Sequence, residues 1–261
     1  MKFGCCTTIE NYDLLVKRGY DRIILPAAGI MEMNAQAFDR LRETLDTGPV
    51  KCRALNSFCQ PRLVLCGPLY NAQAVAAYSR ALAGRAGSIG VRYIGVGAPE
   101  SRSIPPDYPY DTAMLQFGQS LAVLCRACAP YGITVLLEAV CELECNFITT
   151  TDEAVNVVEG LHLENLQLVF DTYHAQMMAE DGAPLRRAVK YVRLVHVAQD
   201  SSGSRRYLRR DKMDEYRVYF NVLHENGYDG EVSIEALNDD IETQLLETLE
   251  IMKDLCLPTK K

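Results

Sequence analysis

The sequence predicts an α/β protein of the (β/α)8 (TIM) barrel class, a single domain over residues 1–261. Three observations predict it: apolar strand runs alternate with helix-patterned runs along the whole chain, there are eight such strand runs, and those from the fifth to the eighth each end in an acid or an imidazole. Strict strand–helix alternation implies a parallel sheet. A chain of 261 residues is close in size to an eight-unit barrel, roughly 250 residues. Eight strands in that length favour closure over a doubly wound open sheet, and no glycine-rich phosphate fingerprint follows the first strand.

Taken in order, the strand runs fall at 2–7, 22–27, 51–58, 93–98, 134–140, 167–172, 191–198 and 231–236. Helix patterns fill the intervals at 34–46, 71–84, 110–131, 151–160, 214–226 and 241–255. Gly132, Gly227 and Asp229-Gly230 supply turn signals before the fifth and eighth strands. No linker, repeat or low-complexity tract divides the chain.

Composition narrows the function classes. Hydrophobic residues make up 48% and charged residues 23%, ordinary for a globular protein. The net charge of −7, from 27 Lys/Arg and 34 Asp/Glu, argues against a nucleic-acid partner. The start of the sequence lacks a signal peptide's apolar core and no apolar stretch reaches membrane-spanning length, so a cytoplasmic protein with no membrane partner is expected. The 10 cysteines show no zinc-finger spacing. Cys125 and Cys128 lie in a helix pattern as small apolar groups, Cys5 and Cys6 face opposite sides of a strand, and reduced structural thiols are the expectation.

The chemistry concentrates at four strand ends. Thr134-Val135-Leu136-Leu137 leads into Glu138, Leu166-Gln167-Leu168-Val169-Phe170 into Asp171, Val192-Arg193-Leu194-Val195 into His196, and Val232-Ser233-Ile234 into Glu235. Strand C-termini converge on one face of a parallel barrel. Three carboxylates and one imidazole form a mostly hard, oxygen-rich set, which predicts one divalent metal ion, Mn²⁺ foremost, with Mg²⁺, Co²⁺ or Zn²⁺ as alternatives. The competing reading makes these acids helix caps or rim salt bridges. His174, three residues past Asp171, is placed to reach a substrate hydroxyl or a second metal, although a loop histidine is usually only surface. His162 and His224 read as structural. Asn56, near the end of the third strand, is a candidate donor to a sugar hydroxyl, or else satisfies a turn.

These residues resemble the xylose-isomerase-like sugar phosphate isomerases and epimerases, a family that includes ketose 3-epimerases and inositol-catabolism isomerases. The resemblance runs over nearly the whole chain. It rests on Leu137-Glu138 with Glu144-Cys145-Asn146-Phe147-Ile148-Thr149-Thr150 following, Phe170-Asp171-Thr172-Tyr173-His174, Val195-His196-Val197-Ala198, and Gly227-Tyr228-Asp229-Gly230 leading into Ser233-Ile234-Glu235-Ala236. Weaker matches are Gly95-Val96-Gly97 through Arg102 and Pro105, and Asp214-Glu215-Tyr216. The resemblance implies that Glu138, Asp171, His196 and Glu235 bind the metal, that Glu138 and Glu235 also move protons, that Arg205 holds a substrate oxygen, and that Glu144 supports the site. It further implies a carbohydrate substrate and a homo-oligomer, dimer or tetramer. Moving a proton from the carbon beside a carbonyl creates an enediolate whose negative charge a cation stabilises, and a second carboxylate then reprotonates it.

One departure bears on substrate. Where relatives carry a Pro-Leu-Asn-Arg-like stretch, this chain has Ala139-Val140-Cys141-Glu142, which replaces an amide and a cation by a thiol and an acid. An unphosphorylated keto-sugar or cyclic polyol is therefore the expected substrate. The cluster Arg205, Arg206, Arg209, Arg210 and Lys212 offers an anion site against the alternatives of a solvated loop or a subunit contact. Three rival functions stand beside the epimerase: a lyase or dehydratase on a keto-inositol or 3-keto-glycoside using the same enolate, a non-catalytic sugar-binding protein, and an endonuclease-IV-like nuclease. The nuclease needs histidines on early strands, whereas the 4 histidines here all lie at or beyond residue 162.

Overall fold

The computed structural model describes residues 1–237 and 241–257. Eight parallel strands close into a barrel: β1 (Lys2–Cys6), β2 (Arg22–Pro26), β3 (Lys51–Asn56), β4 (Tyr93–Val96), β5 (Thr134–Glu138), β6 (Leu166–Asp171), β7 (Val192–Val197) and, after a two-stranded hairpin of β8 (Gln199–Ser201) and β9 (Ser204–Arg206), β10 (Glu231–Ile234). The order around the barrel is β1-β10-β7-β6-β5-β4-β3-β2, so each strand pairs with its predecessor and β1 pairs with β10 to shut the ring. Both faces of each strand are covered, which is why the strands read as nearly continuous apolar runs.

The six predicted helix patterns correspond to α3 (Ala35–Thr47), α4 (Ala72–Ser88), α6 (Tyr110–Cys128), α7 (Thr151–Leu161), α10 (Met213–Glu225) and α11 (Ile241–Leu255). The stretch 129–131, expected to continue α6, is a 3-10 turn ended by Gly132 at φ +63°, a left-handed conformation that glycine tolerates. Local chemistry starts several of the helices. Asn34 accepts from the Ala37 N–H, Asn71 from Gln73 and Ala74, and Thr150 with Glu153 forms a reciprocal capping box. Five further helices were not in the sequence reading: α1 (Tyr12–Arg18), α2 (Ala27–Glu32), α5 (Pro99–Arg102), α8 (Thr172–Met177) and α9 (Gly182–Ala188). Each is seven residues or fewer, too short for a 3.6-residue period to stand out.

The core has two parts. Inside the barrel, Cys6, Ile24, Ala54, Leu136, Val169 and Leu194 pack against one another. A larger shell, which includes Cys5, fills the space between barrel and helices. Cys5 and Cys6 thus do face opposite sides, and all 10 cysteines are free thiols. Among the described residues, no helix is long and apolar enough to cross a membrane.

Candidate active site

Alternation along a strand sends every second side chain inward. One step beyond the interior residues Leu136, Val169 and Leu194, the next inward positions are Glu138, Asp171 and His196. Asp171 stands level with His196 in the β6–β7 register, and Ser233 pairs with His196 in the β10–β7 register. Glu235 follows one residue after β10, its N–H donating to the Val197 carbonyl at 2.9 Å in continuation of the ladder. Glu138, Asp171 and His196 are 6%, 4% and 0% exposed. One ligand-type atom from each of Glu138, Asp171, His196 and Glu235 lies within 4.8 Å of the other three.

The contacts inside this group are specific. His196 Nδ1 lies 3.3 Å from Glu138 Oε1 and 3.2 Å from Glu235 Oε2. Asp171 Oδ1 accepts the Tyr173 N–H at 2.8 Å and so caps α8, leaving Oδ2 for the mouth. Arg205, on β9, reaches in over the Tyr173 ring, and its Nη1 donates to Asp171 Oδ2 at 2.5 Å and to Glu235 Oε2 at 2.9 Å. Asn56 Nδ2 donates to Glu235 Oε1 at 2.6 Å, so Asn56 orients a site acid directly. A Cβ at Gly97 would come within 2.9 Å of Glu138 Oε2; the absent side chain leaves that carboxylate its room.

The electrostatics show a deficit of positive charge. Three carboxylates, Glu138 and Asp171 buried and Glu235 half-buried, face one guanidinium and one imidazole, and buried charge persists only when paired or metal-bound. Burial raises the Glu138 carboxyl above its ordinary value despite its hydrogen bond to His196. Burial acts the same way on Asp171 but is outweighed, chiefly by the Arg205 guanidinium, which leaves it lowered. For Glu235 burial is again outweighed, here by His196 and Arg205, and the carboxyl sits well below its usual range. Burial disfavours the His196 imidazolium, yet the Glu235 carboxylate more than compensates and raises it well above the usual value. These donors, converging within reach of one another, fit a divalent ion.

His174 lies in helix α8, buried to 3% exposure. Its Nδ1 accepts the Cys141 N–H at 3.2 Å, and Nε2 faces Arg205 Nη2 at 2.5 Å. Burial depresses its pKa to about 4, so the ring is neutral with one proton. A neutral ring has one bare nitrogen, so the Cys141 N–H and the Arg205 guanidinium, both donors, compete for it. Glu144 is exposed at the rim, 3.9 Å from Arg205 Nε. Above these groups opens a cavity of about 400 Å³, also lined by Thr7, Thr8 and Ser57.

The basic cluster divides: Arg205 turns inward to the barrel mouth, while Arg206, Arg209 and Lys212 line a separate cavity of about 660 Å³, with Arg209 paired to Asp211 at 3.0 Å, Lys212 to Glu215 at 2.6 Å and Arg210 to Asp254 at 2.7 Å. One sequence expectation changes. Glu142 is exposed and outside the cavity lining, so the reversed charge does not stand beside the four ligand candidates. Two site residues were not read from sequence. Cys6 Sγ lies 3.7 Å from His196 Nε2. Arg102, fully buried, donates from Nη2 to the carbonyls of Glu138 at 2.9 Å and Ile148 at 3.3 Å, tying the end of β5 to the loop that follows. The Gly95–Pro105 stretch carried a signal for Arg102; nothing local marked Cys6.

Comparisons with known proteins agree with this architecture. A ketose 3-epimerase of Arthrobacter globiformis is 32% identical over 111 residues, 42% of this chain and 37% of that protein, so the alignment spans well under half of the relative. An inosose isomerase of Halalkalibacterium halodurans is 23% identical across 91% of this chain and 88% of its own length. Among solved structures, D-psicose 3-epimerase from Clostridium cellulolyticum H10 with D-tagatose superposes with a TM-score of 0.83 at 17% identity, covering 99% of this chain and 100% of that one. An IolI protein with a bound zinc atom superposes with a TM-score of 0.72 at 19% identity, covering 98% and 96%. Residues 12–255 match the xylose isomerase-like TIM barrel family, and the chain belongs to that family.

Proposed function

We propose that this protein is a divalent-metal-dependent sugar epimerase or isomerase, acting on an unphosphorylated ketose or cyclic polyol by proton transfer next to a carbonyl. The observation that carries the reading is the convergence of Glu138 and Glu235, from strands three places apart around the barrel, with Asp171 and His196 between them. Relatives and structural neighbours named as ketose 3-epimerase, inosose isomerase and D-psicose 3-epimerase support it. The zinc atom of the IolI neighbour supports metal use.

Glu138, Asp171, His196 and Glu235 hold the metal, which when bound supplies electrophilic stabilisation of the charge that develops on the substrate oxygens. Glu138 and Glu235 exchange the carbon-bound proton. Their environments differ: burial raises the Glu138 carboxyl, while the charges of His196 and Arg205 outweigh burial at Glu235 and hold it ionised. Proton removal by one and return by the other to the opposite face inverts the carbon; return to the neighbouring carbon gives aldose–ketose isomerisation. His174 Nε2 and the Arg205 guanidinium position substrate oxygens, Asn56 fixes Glu235, and Glu144 supports Arg205 from the rim.

Among the described residues, Arg205 is the one cation in the cavity lining, and it is already engaged with two carboxylates, which disfavours a phosphate. Incubation with Mn²⁺ and a panel of ketoses, keto-inositols and sugar phosphates, followed by product analysis, tests the proposal. Epimer or isomer formation from an unphosphorylated substrate is expected. Turnover confined to sugar phosphates contradicts the substrate class, and accumulation of a dehydrated or cleaved product transfers the protein to the elimination reading.

A further inference from the structure

We propose that Cys6 is the positioning residue of His196, accepting a hydrogen bond from Nε2–H at its sulfur and thereby holding the Nδ1 lone pair toward Glu138, Asp171 and Glu235. This rests on the metal site of the proposed function and assigns a chain-specific role within it.

His196 is 0% exposed, with Nδ1 3.3 Å from Glu138 Oε1 and 3.2 Å from Glu235 Oε2. The ring nitrogen that enters the cluster of carboxylates is therefore Nδ1, and Nε2 points away from it. A neutral imidazole carries one proton, and a nitrogen that donates its lone pair to a cation leaves that proton on the other. Nε2–H is then a donor in a fully buried place and needs an acceptor. Cys6 Sγ, 3.7 Å away across the seam where β1 closes on β10, is the atom the structure sets against it. Cys6 is itself buried among Ile24, Ala54, Leu136, Val169 and Leu194.

A thiol suits this position because it both donates and accepts weakly. With no cation bound, Nδ1–H faces the carboxylates and Nε2 again faces the sulfur. With a cation bound, Nδ1 is bare and Nε2–H turns to sulfur. The same pair of atoms faces one another in both states. Outer partners of this kind typically set metal affinity by about 10–100-fold.

The test separates hydrogen bonding from packing. Cys6→Val keeps apolar bulk and removes the acceptor; Cys6→Ala removes both; Cys6→Ser has nearly the volume of alanine but returns a hydroxyl. Mn²⁺ binding measured by calorimetry is expected to weaken about 10-fold or more in both Cys6→Val and Cys6→Ala, with Cys6→Ser tighter than Cys6→Ala. Long-range ¹H–¹⁵N spectra of the Zn²⁺-loaded protein are expected to show the His196 proton on Nε2. If Cys6→Val binds Mn²⁺ as tightly as the native protein, or the proton lies on Nδ1, the role assigned to Cys6 is overturned while the metal site stands. Failure of the native protein itself to bind Mn²⁺ or Zn²⁺ overturns both.

Discussion

The two ends of the barrel treat charge in opposite ways. At the N-terminal end, every buried or half-buried acid has a near neighbour that answers it: Glu231 Oε2 lies 3.8 Å from Arg22 Nε, Glu231 Oε1 accepts from Ser233 at 3.1 Å, and Asp21 pairs with Lys2 at 2.9 Å while accepting the Phe3 N–H. The strands approach so closely there that a Cβ on Gly4 would come within 2.3 Å of Ser233 Oγ. At the C-terminal end three carboxylates converge on one another, with one guanidinium and one imidazole among them. Local pairing answers the acids at one end; accumulated negative charge at the other is what the proposed cation site rests on. This division between a stabilising bottom and a reactive top is the general pattern of the fold.

The comparison breaks if mouth substitutions merely destabilise, or if bottom substitutions impair turnover. The largest effect is expected from Glu235→Gln, which removes the ionised base: substrate proton exchange measured in D₂O should fall by about 10²–10⁴-fold with the fold intact by circular dichroism. Exchange that persists in this variant would take Glu235 out of proton transfer. Next comes Asp171→Asn, which weakens a metal-facing oxygen while still capping α8, and Mn²⁺ affinity by calorimetry should drop by at least the ~10–100-fold that outer partners cost. Arg205→Gln is expected to lower kcat/KM by about 10–100-fold, the worth of a charged hydrogen bond of roughly 1.5–3 kcal/mol.

The smallest effect belongs to the bottom. Burial lifts Glu231 to about 6, only partly opposed by Ser233 and Arg22. The folded state therefore holds its proton longer than the unfolded chain, and stability falls as pH rises through the interval from the ordinary carboxyl range to about 6. Above that interval the ionised group costs about 2 kcal/mol. Glu231→Gln should flatten this part of the stability–pH profile in thermal denaturation and leave proton exchange unchanged. An unaltered profile would place the acid sensitivity elsewhere.

How much of this was legible in the sequence follows from what each residue must do. The barrel strands were readable because burial on both faces makes them continuous apolar runs, and Glu138, Asp171, His196 and Glu235 were readable because each interrupts such a run at its end. Their encirclement of one point was an inference from barrel geometry that the register realises. His174 looked like a loop residue because α8 is six residues long and its cap is Asp171 itself, one carboxylate serving two purposes. Cys6 was silent because a thiol in a strand reads as apolar, and its partner lies 190 residues away. The inward turn of Arg205 depends on a hairpin of two three-residue strands with left-handed Ser202 and Gly203 at its tip, too short and polar to register as strands.

The most direct test of the account is anomalous diffraction at the manganese edge from crystals of the native protein soaked in Mn²⁺. One strong peak is expected at the barrel mouth, within bonding distance of Glu138, Asp171, His196 Nδ1 and Glu235. An empty mouth at saturating Mn²⁺, or an ion bound elsewhere with those four side chains uninvolved, would contradict it.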